Sequence, residues 1–289
     1  MAEVTIVAVG DLMLARSVGH RIVSDGPDAV FDDELRTLLR GADLTLGNLE
    51  CVISEHGEPA AKSYTFRAPP AAAAALASAG FDAVALANTH SLDYGPGALL
   101  DTIARLAGAG VAAAGAGSDG TAAMAPAVFE RSGLRIAVVS LVDAPAEGSF
   151  SRDGWEARTG RPGVAWADAG TVAAAVSDAS AQADVVIVML HFGNEYATTP
   201  TSKQRELAHA AIDAGALLVV GSHPHLLQEV EEYGGGLIAY SLGNFVFDGF
   251  EGDANTTAVL RVTLGATGVA SWSLLPASID WSGLPHLDH

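Results

Sequence analysis

The chain has 289 residues, enough for a sizeable buried core, and 49% of them are hydrophobic, which excludes global disorder. Acidic residues number 34 against 15 basic, and the resulting formal charge of −19 repels nucleic acid and anionic membrane surfaces. The single cysteine, Cys51, excludes an internal disulfide and reads as a small buried hydrophobe rather than a nucleophile.

Residues 1–9 carry no basic segment and no long apolar run, so neither a signal peptide nor a membrane anchor is expected, and the chain reads as cytoplasmic. Short apolar, β-branched runs at 4–9, 44–46, 83–86, 136–141, 185–190, 217–220 and 237–240 predict strands. Helices are predicted at 33–39, 71–79, 99–107, 172–181 and 204–214, and an antiparallel pair at 257–264 and 269–275 turns near 265–268. Alternation of this kind predicts an α/β or layered αββα fold, and no linker divides residues 1–289, so one domain is expected. Two stretches, 54–70 and 143–162, are rich in Gly, Pro, Ser and charge and long for plain connections, which suits loops that shape a site.

The chemistry lies in the residues just beyond each strand. In order come Gly10-Asp11, Gly47-Asn48-Leu49-Glu50, Ala87-Asn88-Thr89-His90 with Asp93, His191, Ser222-His223-Pro224-His225 and Gly243-Asn244. Parallel strands share one carboxyl edge, where ligands bind, so groups far apart in sequence can converge there. One His after a strand is most often structural; six such endings point instead to a metal site. Carboxylate, amide and imidazole donors without thiolate suit Mn, Fe or Zn. His223 and His225, at i and i+2, would face the same side in extended backbone. Arg67 in the first long loop has a planar fork suited to a phosphate or carboxylate, and Glu195 and Tyr196 lie within reach of the substrate or of the ligands.

Read in order, these segments resemble the CapA family, the poly-γ-glutamate capsule synthesis (PgsA-type) proteins, a branch of the calcineurin-like metallophosphatase superfamily. The matching segments also include Lys62-Ser-Tyr-Thr-Phe-Arg-Ala-Pro69 and Ser241-Leu-Gly-Asn-Phe-Val-Phe-Asp248. The resemblance implies a four-layer αββα metallophosphatase-like sandwich with two divalent ions, Mn, Fe or Zn, at its edge. By the same resemblance Asp11 and His225 hold one ion, Asn88, His191 and His223 the other, and Glu50 bridges them. His90 becomes the general acid or transition-state donor, oriented by Asp93, and Asn48 a ligand or a partner to the ligands. Metallophosphatases usually carry Asp-x-His on the first strand, whereas here the third position is Met13.

The function so implied is a metal-dependent hydrolase in which metal-bound hydroxide attacks a phosphoester. An enzyme acting on γ-glutamyl amides or carboxylates and a non-catalytic scaffold of a polymer-synthesis complex are the alternatives. The expected substrate is a small molecule or polymer of anionic character, met by Arg67, Asn48 and Glu195.

Overall fold

Along the first strand, Glu3–Leu12, side chains alternate between two environments. Ile6 and Ala8 join one apolar cluster, Val7 and Val9 another. The computed structural model, which describes residues 2–289, repeats that division on two principal sheets. The first has the order Pro285–Leu287, Gly268–Ile279, Thr256–Gly265, Glu3–Leu12, Leu44–Leu49, Ala83–Ala85 and Ala112–Ala114, with Asn244–Val246 also paired to Glu3–Leu12. The second runs Val230–Tyr233, Gly236–Ala239, Leu218–Ser222, Val185–Phe192, Leu134–Asp143 and Ala127–Arg131.

Ile6, Leu46, Val138, Ile187 and Val220 meet between the two sheets. On the outer face of the first sheet, Val7 and Val9 pack with Val18, Leu35, Leu76 and Leu99. Those residues come from helices Arg16–Asp25, Asp33–Arg40, Ala72–Ala79 and Gly95–Gly108. On the outer face of the second, Val186 and Val188 pack with Val172 and Leu207 of helices Ala169–Ser180 and Ser202–Asp213. The result is helix, sheet, sheet, helix, the expected αββα sandwich. No helix among the described residues is long and apolar enough to cross a membrane.

The expected single carboxyl edge is in fact two. Glu3–Leu12, Leu44–Leu49 and Ala83–Ala85 are parallel in one sheet. Val185–Phe192, Leu218–Ser222 and Gly236–Ala239 are parallel in the other. Pairing puts Asp11 level with both Asn48 and Asn244, and His191 level with Ser222. Two glycines make room at these ends. A Cβ on Gly10 would collide with the carbonyl of Gly243, and one on Gly221 with that of Tyr240. Through the first approach the Asp11 amide donates to the Gly243 carbonyl at 3.0 Å.

Some elements escaped the sequence pattern. Ala112–Ala114 is a strand although alanine favours helix, because pairing with Ala83–Ala85 overrides a weak propensity. The helix Arg16–Asp25 has only three buried residues, Val18, Gly19 and Ile22, too thin a stripe to announce itself.

Candidate metal centre

The strand ends converge on two overlapping groups of donors. Asp11, Glu50 and His225 offer ligand atoms that all lie within 4.8 Å of one another, and so do Glu50, His191 and His223. Glu50 belongs to both groups. All five residues are buried, and Asp11 and Glu50 have no measurable exposure.

The backbone that delivers the histidines differs from the expected extended form. The strand ends at Ser222, and His223 and His225 take φ values of 97° and 58° on either side of Pro224. Non-glycine residues rarely occupy that region, and two in three residues mark a turn that the surrounding contacts must hold. One such contact is the Tyr196 amide, which donates to the Pro224 carbonyl at 2.9 Å. The i, i+2 spacing therefore brings both rings to the site through a strained turn rather than along a strand.

Supporting groups orient the donors. Asn48 donates through Nδ2 to Asp11 Oδ1 at 2.8 Å and sits 3.3 Å from His191 Nδ1. Its Oδ1 accepts from Asn88 Nδ2 at 3.1 Å. Asn48 is therefore spent within the protein and does not face a substrate. Asn88 Oδ1, expected as a ligand, accepts instead from the His90 amide at 3.0 Å and the Ser91 hydroxyl at 3.1 Å, closing the turn that carries His90. His191 lies between Ser222 Oγ at 3.0 Å and Thr89 Oγ1 at 3.3 Å. His225 Nδ1 faces Asn244 Oδ1 at 2.9 Å and Asp11 Oδ2 at 3.3 Å. Met13, where a first-strand His would stand, is fully buried in the apolar core.

Burial dominates the electrostatics. It pushes the Glu50 carboxyl well above its ordinary range, and the neighbouring Asp11 charge adds to the rise. It drives His191 well down and lowers His223 to about 3, with the adjacent histidines adding to both shifts. Burial alone also lowers His225, but the Asp11 carboxylate and the Asn244 carbonyl outweigh it and the ring stays above its ordinary value. Cys51 is fully buried and its thiol is pushed up to about 12, which makes it no nucleophile.

The donor set fits divalent cations. Asp11 Oδ2, both oxygens of Glu50 and His223 Nδ1 are buried without a hydrogen-bond partner. Two buried carboxylates with donor oxygens this close cost several kcal/mol unless a positive charge meets them. Carboxylate and imidazole donors without thiolate match Mn, Fe or Zn.

His90 stands beside this cluster. Its Nδ1 is 2.6 Å from Asp93 Oδ2 and its Nε2 is 3.9 Å from Glu50 Oε1. Burial lowers its pKa, with the Asp93 hydrogen bond opposing. Asp93 also accepts from the Phe66 amide at 2.7 Å. A residue given no role from sequence completes the set: Lys62, whose side chain is fully buried, places Nζ 3.2 Å from Asp93 Oδ1 and 3.4 Å from His90 Nδ1. Its advance signals were its place in a loop-like segment and at the head of the matching stretch 62–69, neither of which assigned it a role. Lys62→Met would leave Asp93 without its buried cation, and we expect a loss of about 3 kcal/mol or more in denaturant unfolding. A loss under about 1 kcal/mol would mean the pair is no structural support.

Two cavities open on the cluster. One, of about 350 Å³, reaches His223 and Thr89; the other, of about 150 Å³, reaches His225 and His90. Tyr64, Glu147 and Glu195 line both, so the two long loops do form the wall between them. The loops also touch each other, the Ser149 amide donating to the Ala61 carbonyl at 2.9 Å. Glu195 thus lies at the mouth. Arg67 does not: it lines a separate groove, where its guanidinium stacks 3.7 Å from the Tyr94 ring. Arg16, unassigned from sequence, lines the smaller cavity instead.

A four-layer sandwich with carboxylate and histidine donors gathered at its strand ends defines a protein related to the calcineurin-like phosphoesterases. The sequence matches the family described as bacterial capsule synthesis protein PGA_cap over residues 5–249, and the chain belongs to that family. It is 32% identical to the PGA biosynthesis protein CapA of Bacillus subtilis (strain 168), over 94% of this chain and 70% of that protein. It is also 32% identical to the capsule biosynthesis protein CapA of Bacillus anthracis, over 96% and 68%. A Mycobacterium tuberculosis relative, named as a probable polyglutamine synthesis accessory protein, is 37% identical over 81% of this chain and 64% of its own length. Among solved structures, a hypothetical protein from Thermus thermophilus shares the fold with a TM-score of 0.60 at 16% identity, covering 94% of this chain and 98% of that one.

Proposed function

We propose that the chain is a metal-dependent hydrolase that holds two divalent cations through Asp11, Glu50, His191, His223 and His225. The observation that carries this reading is Glu50, whose two buried oxygens have no hydrogen-bond partner and which belongs to both donor groups. Bound there, the cations would supply Lewis acidity and an activated water. The protein's own part is orientation and proton movement. Asp93 fixes the His90 ring through Nδ1, leaving Nε2 as the atom that passes a proton to or from the leaving group. Lys62 holds Asp93 in place, and Phe66 and Phe247 wall the smaller cavity beside His90 and His225.

A phosphoester is the first bond this geometry suits. A γ-glutamyl amide is the second, favoured by the names of the Bacillus relatives, and it would tie the chain to polymer biosynthesis. A catalytically silent accessory role is what remains if no cation binds. The test is elemental analysis of protein purified without chelator, beside His223→Ala. Hydrolysis assays with p-nitrophenyl phosphate, bis-p-nitrophenyl phosphate and γ-glutamyl-p-nitroanilide come next. We expect near-stoichiometric Mn, Fe or Zn that falls in the variant, and turnover of one ester or amide class. A wild-type protein that stays empty after incubation with Mn²⁺, Fe²⁺ and Zn²⁺ would overturn the enzyme reading.

A further inference from the structure

We propose that the smaller cavity holds an organic ammonium group carried by the leaving alcohol of the substrate. The ester cleaved is then zwitterionic, with its phosphoryl end over the cation cluster. The position of the scissile bond rests on the hydrolase reading; binding of the ammonium does not. The cavity, of about 150 Å³, reaches His90 and His225 and is walled by the rings of Phe66, Phe247, Phe250 and Tyr196. Phe250 stands 5.0 Å from the His225 ring, 4.8 Å from Phe247 and 6.3 Å from Tyr196. His90 would pass its proton to the leaving oxygen, so whatever that oxygen carries lies on the His90 side, in this cavity.

Aromatic faces and carboxylates together suit a bulky cation. A ring face attracts an ammonium within about 6 Å of its centre, and more strongly where water is excluded. Tyr196 is 59% exposed and held at φ 60°, which non-glycine residues rarely adopt, with its amide donating to the Pro224 carbonyl. The fold thus keeps an exposed ring at the mouth against backbone strain, which core packing does not require. Glu147, from the long loop, and Glu195, just beyond His191, line the same cavity. Exposed carboxylates are common in a chain of formal charge −19, but this pair stands over aromatic faces. Neither enters an ion pair among the described residues, whereas Arg105, Arg152 and Arg158 are taken by other carboxylates. Arg16, the one guanidinium at the wall, has its charge met by Asp248 Oδ1 at 2.7 Å. A plain phosphate dianion is repelled by such a mouth, while an ammonium on the same molecule is drawn in. In the reaction the water oxygen forms the new bond to phosphorus and the bond to the alcohol oxygen breaks. That oxygen takes a proton from His90 Nε2, and the proton released by the water restores His90. One water is consumed, and the products are phosphate and a free amino alcohol.

The experiment compares charged and neutral isosteres on Mn²⁺-loaded wild type, Glu147→Gln/Glu195→Gln and Tyr196→Leu. One pair is choline phosphate and 3,3-dimethylbutyl phosphate; the other is ethanolamine phosphate and propyl phosphate. In the wild type, kcat/KM should favour the charged member of at least one pair by about tenfold or more. The preference should fall to within about twofold of unity in the double carboxylate variant, and by roughly threefold or more in Tyr196→Leu. Reading the ratio cancels any loss of folding or of cation content, which lowers both esters alike. A wild type that turns over both members of each pair equally, or prefers the neutral ones, would overturn the proposal. A preference that survives intact in either variant would do the same. Free choline and free ethanolamine, titrated calorimetrically into cation-free protein, separate the proposal from the hydrolase reading. If no ester is turned over, that reading fails and the titration decides. Binding that disappears in the double carboxylate variant supports the ammonium site, and binding that is absent or indifferent to those carboxylates overturns it.

Discussion

Glu50→Gln is expected to empty both cation positions at once, whereas His225→Ala or His223→Ala should each affect chiefly one. The difference comes from position: Glu50 is the member common to the two donor groups, and each histidine belongs to one. Glutamine keeps the volume and one carbonyl oxygen, so the fold should survive, but it cannot supply two anionic oxygens. Elemental analysis should show both equivalents lost in Glu50→Gln. Hydrolysis should fall by more than about 10²-fold, since losing even a contact that merely supports a ligand costs 10–100-fold. The cation-free variant should be no less stable than the cation-free parent, because the substitution removes a fully buried carboxylate that has no hydrogen-bond partner and sits beside Asp11. Loss of a single cation would mean that Glu50 serves one site, and retention of both would sink the bridging role.

The residues of that site were readable from sequence because strand ends are readable. A β-branched run followed by a short polar group fixes where a side chain leaves the sheet, and Asp11, Glu50, His191, His223 and His225 each stand at or just beyond such an end. The spatial meeting of the two sheets was less accessible, since it depends on how Ile6, Ile187 and their neighbours pack between them. Roles that depend on rotamers were not accessible at all. Asn48 and Asn88 look alike as ligands in sequence, yet their amides are committed to Asp11, to each other and to the His90 turn. The roles of Lys62 and Arg16 were illegible for a different reason. Both approach the site from outside the strand-end pattern, Lys62 from a long loop and Arg16 from the start of a helix, where periodicity carries no information about direction. Arg67 shows the converse, a residue whose chemistry was legible while its location, in a groove beside the mouth, was not.

Cation removal should change both the height and the shape of the stability profile. A cation at a hundredfold excess over its dissociation constant adds about 2.7 kcal/mol, so chelation should lower Tm by about 4–5 °C for each site emptied. The pH dependence separates this from unspecific salt effects. In the cation-free protein Glu50 has a folded pKa above its ordinary 4.5, so above that pH the unfolded chain has released a proton that the folded one still holds, and stability falls as pH rises through the folded value. His223 works on the opposite flank. Its folded pKa of about 3 lies below the ordinary 6.5, so the stability present above pH 6.5 is lost as pH falls toward 3, and His191 adds in the same direction. The chelated protein should therefore weaken on both sides of a maximum. With cations bound, Glu50 is held ionised and the loss on the alkaline side should disappear, while the acid side steepens because protons compete for the same histidines. Thermal unfolding from about pH 4 to 9, with Mn²⁺ and with chelator, reads this directly. Parallel profiles in the two conditions would mean that the buried carboxylates and imidazoles are not what the cation meets.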